Sequence, residues 1–256
     1  MKIVRYTSNG RTGYGVYQDE RVAGLRGTPF RRPAFSGKTY NPTDVKLRSP
    51  CTPSKIICLG LNYRSHAEET KLPIPEVPLI FLKPSTAVIG PEANIILPRG
   101  TRRTDYEGEL GVVIGKRAKD VDEKKAYEYV LGYTCFNDVS ERYNQRDDGQ
   151  WTRAKGYDTF APIGPWVETE VSPEDLKMET FLNGQRCQSS RTSDLIFSVP
   201  ALISFISHVM TLLPGDVIAT GTPAGIGRLN AGDTVEIAIE GIGTLRNGVE
   251  NARQDF

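Results

Sequence analysis

Asp105-Tyr106-Glu107-Gly108-Glu109-Leu110-Gly111-Val112-Val113-Ile114-Gly115 is the stretch on which the reading of this chain turns. The apolar run from Leu110 to Ile114 reads as a strand entering a core, and residues two apart on a strand point to one face. Glu107 and Glu109 then present two carboxylates side by side, with Gly108 leaving the backbone between them uncrowded. Two like charges that close repel unless they share a cation or a proton. A second apolar strand, Leu131 to Phe136, ends at Asn137-Asp138 and supplies a third carboxylate. Three carboxylates and water form an oxygen-rich site suited to Mg²⁺, with Mn²⁺ as the alternative. Spacing alone leaves another reading open. A Glu-x-Glu pair on a strand is commonly a solvated face, and an Asp at a strand end is commonly a turn residue.

Outward from that strand, short apolar runs bounded by Pro and Gly dominate. Strands are expected at 55–60, 79–83, 86–90, 93–97, 107–115, 130–137, 162–168, 177–182, 216–220 and 234–239. Helices are expected near 62–66, at 123–130 and at 198–212, where Val199, Leu202, Ile203, Ile206, Val209 and Met210 recur with a helical period. Leu72 to Val77 holds Pro73 and Pro75, with Pro78 following, and cannot be regular. Residues 1 to about 50 read as strands at 3–6, 12–17 and 21–25, with Asn9-Gly10 as a hairpin signal, then a polar, Pro-bearing linker. The expected organisation is a small β-rich N-terminal subdomain at 1–52 and a catalytic domain at 53–256. The fold class is mixed α/β and β-dominated, with no doubly wound core.

The bulk numbers exclude several function classes. With 32 basic and 31 acidic residues the net charge is +1, which gives no electrostatic case for nucleic acid or an anionic membrane. No apolar run reaches the 18 residues or so a membrane helix needs, and Met1 to Tyr6 lacks a signal core. The four cysteines, at 51, 58, 135 and 187, form no CxxC pair and are too few to staple the chain. Reduced thiols in a cytoplasmic protein follow, with Cys58 and Cys135 in the core. With only His66 and His208 available, a metal site has to rely on oxygen.

His66 and Glu69 lie three apart on the first short helix, close enough to touch. A carboxylate that fixes an imidazole tautomer makes a general base, although an ordinary surface pair has the same spacing. His208 sits within the apolar helix and reads as structural. Lys155 falls in a loop-like stretch, where a lone lysine is commonly a surface charge. Gly221 to Gly227 follows a strand but lacks the Lys-Ser/Thr ending of a phosphate loop.

Six blocks in order carry a resemblance. They are Gly60 to Glu69, Phe81 to Ser85, Asp105 to Gly111, Gly132 to Ser140, Ala154 to Asp158 and Pro214 to Pro223. Over about residues 54–248 the chain resembles the fumarylacetoacetate hydrolase family, particularly its short bacterial and mitochondrial members. The resemblance implies a mixed β-sandwich roll, usually a homodimer, with Mg²⁺ held at Glu107, Glu109 and Asp138. It implies that a 2-oxo acid chelates the cation, which as a Lewis acid stabilises the enolate formed when a C–C bond breaks. His66 and Glu69 match a catalytic dyad on a lid-like segment, and Lys155 a lysine that stabilises developing negative charge. Arg142 and Gln145 match substrate-facing positions, and Thr222 a residue near the substrate carboxylate. The implied reaction is acylpyruvate hydrolysis or oxaloacetate decarboxylation. The alternative is isomerisation and decarboxylation of a 2-oxo-heptenedioate in aromatic catabolism, with sugar-acid dehydration behind it. The first fifty residues lie outside the single-domain pattern.

Overall fold

The computed structural model describes residues 1–31 and 33–253. Its main sheet runs, in spatial order, through Ala34–Tyr40, Arg21–Arg26, Arg11–Gln18, Lys2–Ser8, Ala161–Glu168, Val130–Asn137, Gly108–Ile114, Val217–Ala219, Ile56–Gly60 and Leu79–Lys83. A five-stranded sheet, Gln185–Arg191, Lys177–Leu182, Thr234–Ile239, Gly243–Asn251 and Ile95–Leu97, packs against it. A small third sheet joins Ser140–Glu141, Thr104–Tyr106 and Gly227–Arg228.

The strand Gly108–Ile114 lies at the centre because both its faces are covered. Leu110, Val112 and Ile114 join the core beneath the helix Val199–Val209 and the five-stranded sheet, while Val113 joins the opposite core with Ile56, Phe136 and Ile163. A strand buried on two sides has no polar alternation to keep, which is why its sequence is a continuous apolar run. The helix offers Val199, Leu202, Ile203 and Ile206 to the first core, and Ser198 caps it by accepting from Ala201 N. No described helix is long and apolar enough to cross a membrane.

The N-terminal hairpins extend the main sheet. Lys2 and Ile3 pair with Glu168 and Val167, and the terminal ammonium lies 2.8 Å from a Glu168 carboxylate oxygen. The polar stretch expected to be linker contains the strand Ala34–Tyr40, whose partners come from Arg21–Arg26 rather than from an apolar face of its own. Cys51, Cys58 and Cys135 are buried free thiols, and burial pushes those of Cys51 and Cys135 up to about 12, so they act as small core side chains.

Several expected elements differ. The first short helix covers Arg64–Thr70 rather than 62–66, because Asn62 is occupied elsewhere. Its amide donates to Thr220 O and Phe197 O and its carbonyl oxygen accepts from Phe197 N. Glu123–Tyr129 is a 3₁₀ helix in which only Ala126 is buried, so it has no apolar stripe to hold longer α-helical turns. At 86–90 the chain forms a 3₁₀ turn, Ser85–Ala87, before a two-residue strand. Lys155 ends the short helix Thr152–Lys155 and is not in a loop.

Candidate active site

The chain breaks between two sheets at Glu107. Thr104–Tyr106 belongs to the small sheet and Gly108–Ile114 to the large one, so Glu107 and Glu109 do not share one regular strand as the spacing suggested. The end of the neighbouring strand holds the break. Asn137 Oδ1 accepts from Glu107 N at 3.1 Å, and Asp138 N donates to Glu107 O at 2.9 Å. The carboxylates still converge. Glu107, Glu109 and Asp138 are all buried, and each offers an oxygen within 4.8 Å of the others.

Each of the three has different company. Glu107 is met by Arg142 Nη2 at 2.6 Å and by Lys155 Nζ at 2.8 Å. Burial opposes its ionisation, but those two cations hold it well below the usual carboxylate range. Asp138 Oδ2 lies 2.8 Å from Lys155 Nζ, and Oδ1 lies 2.7 Å from Lys83 Nζ. Lys83 is buried, and its three N–H bonds are committed to the carbonyls of Val139, Lys155 and Phe160 at 2.7–2.9 Å. The same ammonium ion-pairs with Asp138 Oδ1. Among the described residues Glu109 receives only Gly221 N, at 2.8 Å. Burial, then the charges of Asp138 and Glu107, push its carboxyl well above the ordinary value.

This arrangement fits a divalent cation. Glu109 has no cationic side chain within ion-pair distance among the described residues, and its oxygens converge with those of Glu107 and Asp138. A hard cation bound by the three carboxylates would offset the burial and repulsion that raise the Glu109 carboxyl.

A cavity of about 390 Å³ opens above the carboxylates, lined by His66, Glu107, Glu109, Arg142, Gln145, Lys155 and Thr222 among others. Of the nine residues singled out from the sequence, seven line it. Asp138 lies beneath it, and Glu69 stands behind His66 with Oε2 2.9 Å from His66 Nδ1. Glu69 Oε1 also accepts from Gly225 N at 3.0 Å, which ties the helix to the loop after Val217–Ala219. His208 is exposed near the end of its helix, with Nδ1 2.7 Å from Ser204 O, and does not line the cavity.

Arg142 and Gln145 sit three apart on the helix Arg142–Asp148, which the sequence reading left unassigned. Arg142 donates to Asp105 Oδ2 at 2.9 Å and to Gln145 Oε1 at 2.9 Å, so most of its fork is committed within the protein. Thr222 is similarly engaged. Its hydroxyl donates to Gly108 O at 2.9 Å and accepts from Gln188 Nε2 at 2.8 Å. Lys155 is buried with its charge intact. Burial opposes the charge, but Asp138 and Glu107 outweigh it and raise the lysine's pKa.

Sequence reasoning missed Lys83, Asp105 and Gln188. Lys83 carried a faint signal, a lysine closing an apolar strand in phase with Phe81. Asp105 continues the alternation of Glu107 and Glu109 but turns to Arg103 and Arg142 instead. Gln188, on a polar strand, carried none. It accepts from Gly108 N at 3.0 Å, and a Cβ on Gly108 would stand 2.2 Å from Thr180 Oγ1 and 3.1 Å from Gln188 Oε1. Gly108→Ala is therefore expected to cost about 1–3 kcal/mol by overpacking and to weaken cation affinity, read by urea unfolding and Mn²⁺ titration. Stability and affinity both equal to wild type would contradict that packing. Gly221 is constrained in another way, with φ +100° and a Cβ position 2.8 Å from Asn62 Cβ, so the N–H that reaches Glu109 depends on glycine.

Comparison with known proteins agrees with this architecture. The family described as fumarylacetoacetate (FAA) hydrolase, C-terminal, matches residues 55–250, and one described as Rv2993c-like, N-terminal, matches residues 1–50. A 2,4-didehydro-3-deoxy-L-rhamnonate hydrolase from a Sphingomonas species is 46% identical over 211 residues, 78% of this chain and 74% of that protein. The structure of a 5-carboxymethyl-2-hydroxymuconate delta-isomerase from Mycobacterium smegmatis superposes with a TM-score of 0.94 at 46% identity, covering 98% of this chain and all of that one. A maleylpyruvate hydrolase from a Sphingobium species, in complex with manganese(II) and pyruvate, superposes at 0.84 with 29% identity, covering 99% and 100%. The β-dominated fold, the residues matched and the identity of these relatives together make the chain a member of the fumarylacetoacetate hydrolase family.

Proposed function

We propose that this chain is a divalent-metal-dependent enzyme that cleaves a C–C bond in a small 2-oxo acid, by acylpyruvate hydrolysis or oxaloacetate decarboxylation. The observation that carries the reading is the convergence of Glu107, Glu109 and Asp138 within 4.8 Å at the floor of a cavity that also exposes His66 and Lys155. Glu107, Glu109 and Asp138 would hold Mg²⁺ or Mn²⁺, which supplies a Lewis acid for the keto and carboxylate oxygens of the substrate. The relative with manganese and pyruvate supports that choice of cation and ligand. Glu69 accepts from His66 Nδ1, which leaves Nε2 as the basic nitrogen facing the cavity and able to take a proton from water. The Lys155 ammonium lies at the carboxylate floor and stabilises the negative charge left when the bond breaks. Four cysteines without a disulfide fit a cytoplasmic setting.

A second reading has support from relatives named as isomerases, including a 2-hydroxyhepta-2,4-diene-1,7-dioate isomerase from Mycobacterium marinum at 45% identity. It predicts isomerisation or decarboxylation of a 2-oxo-heptenedioate at the same carboxylates. The test is a panel of acetylpyruvate, fumarylpyruvate, oxaloacetate and 2-oxo-heptenedioate with Mg²⁺, run on wild type and Glu69→Gln. Hydrolysis needs an activated water, so on the acylpyruvates Glu69→Gln is expected to lower turnover by about 10²-fold or more. Turnover of 2-oxo-heptenedioate alone would replace the first reading with the second. No turnover of any member with Mg²⁺ or Mn²⁺ would remove both.

We also propose a homodimer. Leu72, Ile74, Val77, Leu79 and Leu82 are 44–62% exposed along the edge strand Leu79–Lys83 and the segment before it, more apolar surface than a lone edge tolerates. Sedimentation at micromolar concentration tests this, and a monomer that persists there contradicts it.

A further inference from the structure

A second cavity, of about 430 Å³, lies outside the catalytic one and shares no lining residue with it. Arg99, Arg102, Arg103 and Arg228 line it, and among the described residues no acidic side chain does. Four exposed arginines along one cavity are a local concentration of positive charge in a chain whose net charge is only +1. Arg103 is answered by Asp105, at 2.8 Å. Arg99, Arg102 and Arg228 have no carboxylate within ion-pair distance among the described residues. Arg228 donates to Arg102 O at 3.3 Å, Arg99 donates to the Arg253 carbonyl, and the Arg102 guanidinium stands 4.9 Å over the Tyr143 ring. These contacts orient the heads without neutralising them.

Like charges gathered in this way repel, and the unfavourable field is relieved by an anion that several of them face at once. Guanidinium forks suit oxygen anions, which they meet bidentately. The cavity is large enough for a small molecule rather than a single ion. It also abuts the catalytic side. The Tyr143 ring that the Arg102 guanidinium meets also lies 5.0 Å from the guanidinium of Arg146, a residue that lines the catalytic cavity. Arg103 connects through Asp105 to Arg142, and Arg142 to Glu107.

We propose that the cavity bounded by Arg99, Arg102, Arg103 and Arg228 is a binding site for a small polyanion carrying two or more phosphate or carboxylate groups. It is distinct from the catalytic cavity and does not depend on the 2-oxo acid reading.

The test is isothermal titration of the full chain, stripped of divalent cations with chelator and then dialysed, using pyrophosphate in one arm and citrate in the other. Binding at one site per chain is expected for at least one probe, and the two arms distinguish a phosphate from a carboxylate ligand. Arg102→Gln/Arg228→Gln should weaken that binding by roughly tenfold or more, the loss of a charge-assisted contact. Arg102→Lys/Arg228→Lys keeps the charge and should bind between the two, which separates the site from a folding defect. No binding of either probe overturns the proposal. So does binding that the Gln variant leaves unchanged, or binding abolished instead by Arg146→Gln, which would move the anion to the catalytic mouth. A Gln variant that changes oligomeric state in sedimentation, with no probe bound by wild type, overturns it in favour of a contact between copies.

Discussion

Lys83→Met is expected to lower stability by about 3–5 kcal/mol, the cost of removing one partner from a buried ion pair, and to abolish turnover. Lys83 and Asp138 are both buried, and the ammonium lies 2.7 Å from Asp138 Oδ1. The lysine also satisfies the carbonyls of Val139, Lys155 and Phe160, which belong to three separate segments around the carboxylates. Methionine fills similar volume, so little cavity term enters. What remains is a buried carboxylate left with Lys155 alone as its cationic partner, and three carbonyls without their donor. Urea unfolding of the cation-free protein measures the loss directly. A variant within about 1 kcal/mol of wild type, less than a buried charged hydrogen bond contributes, would mean that Asp138 does not depend on Lys83.

Lys155→Met has a different expected signature, with turnover down by about 10²–10³-fold, the scale for losing one preorganised stabiliser of developing charge. Cation binding should be retained or tightened. Lys155 stands between Glu107 Oε2 and Asp138 Oδ2 at 2.8 Å from each, so removing its charge leaves the carboxylates more attractive to a cation. Its positive charge is secure, since Asp138 and Glu107 outweigh the cost of its burial. Single-turnover kinetics and Mn²⁺ titration separate the two effects. Unchanged turnover would remove Lys155 from the chemistry, and lost cation binding would make it a scaffold of the carboxylates instead.

Much of the fold was legible where a strand buries apolar side chains. Val130–Asn137, Lys177–Leu182 and Thr234–Ile239 have the bounds their sequence pattern indicates. Strands held by partners rather than by apolar side chains were not legible. Gln185–Arg191 has Gln188 as its one fully buried residue, and Gly243–Asn251 hides its alternation of Leu245, Asn247 and Val249 behind an asparagine and glycines. The helix Arg142–Asp148 has no buried residue, so no apolar period marked it.

The site divides in a similar way. Carboxylates and a His/Glu pair announce themselves by spacing, and the family resemblance ordered them. Whether Glu107, Glu109 and Asp138 meet depends on a strand break held by the Asn137 side chain and on Gly221 turning its N–H toward Glu109. Neither is visible as a pattern along the chain. The family resemblance placed Arg142 and Thr222 at the substrate, whereas their donors are largely committed to Asp105, Gln145 and Gly108. Those contacts position the two side chains and limit what they can offer a ligand.

The most direct test of the three-carboxylate centre is Mn²⁺ titration, followed by electron paramagnetic resonance, of chelator-stripped wild type and Glu109→Gln. Glutamine keeps the shape of Glu109 and removes the one carboxylate of the three that no cationic side chain answers among the described residues. One tight ion per chain in wild type, lost in Glu109→Gln together with turnover, is the predicted result. Equal Mn²⁺ binding by both proteins, or turnover that survives chelator, would contradict a metal centre built from Glu107, Glu109 and Asp138.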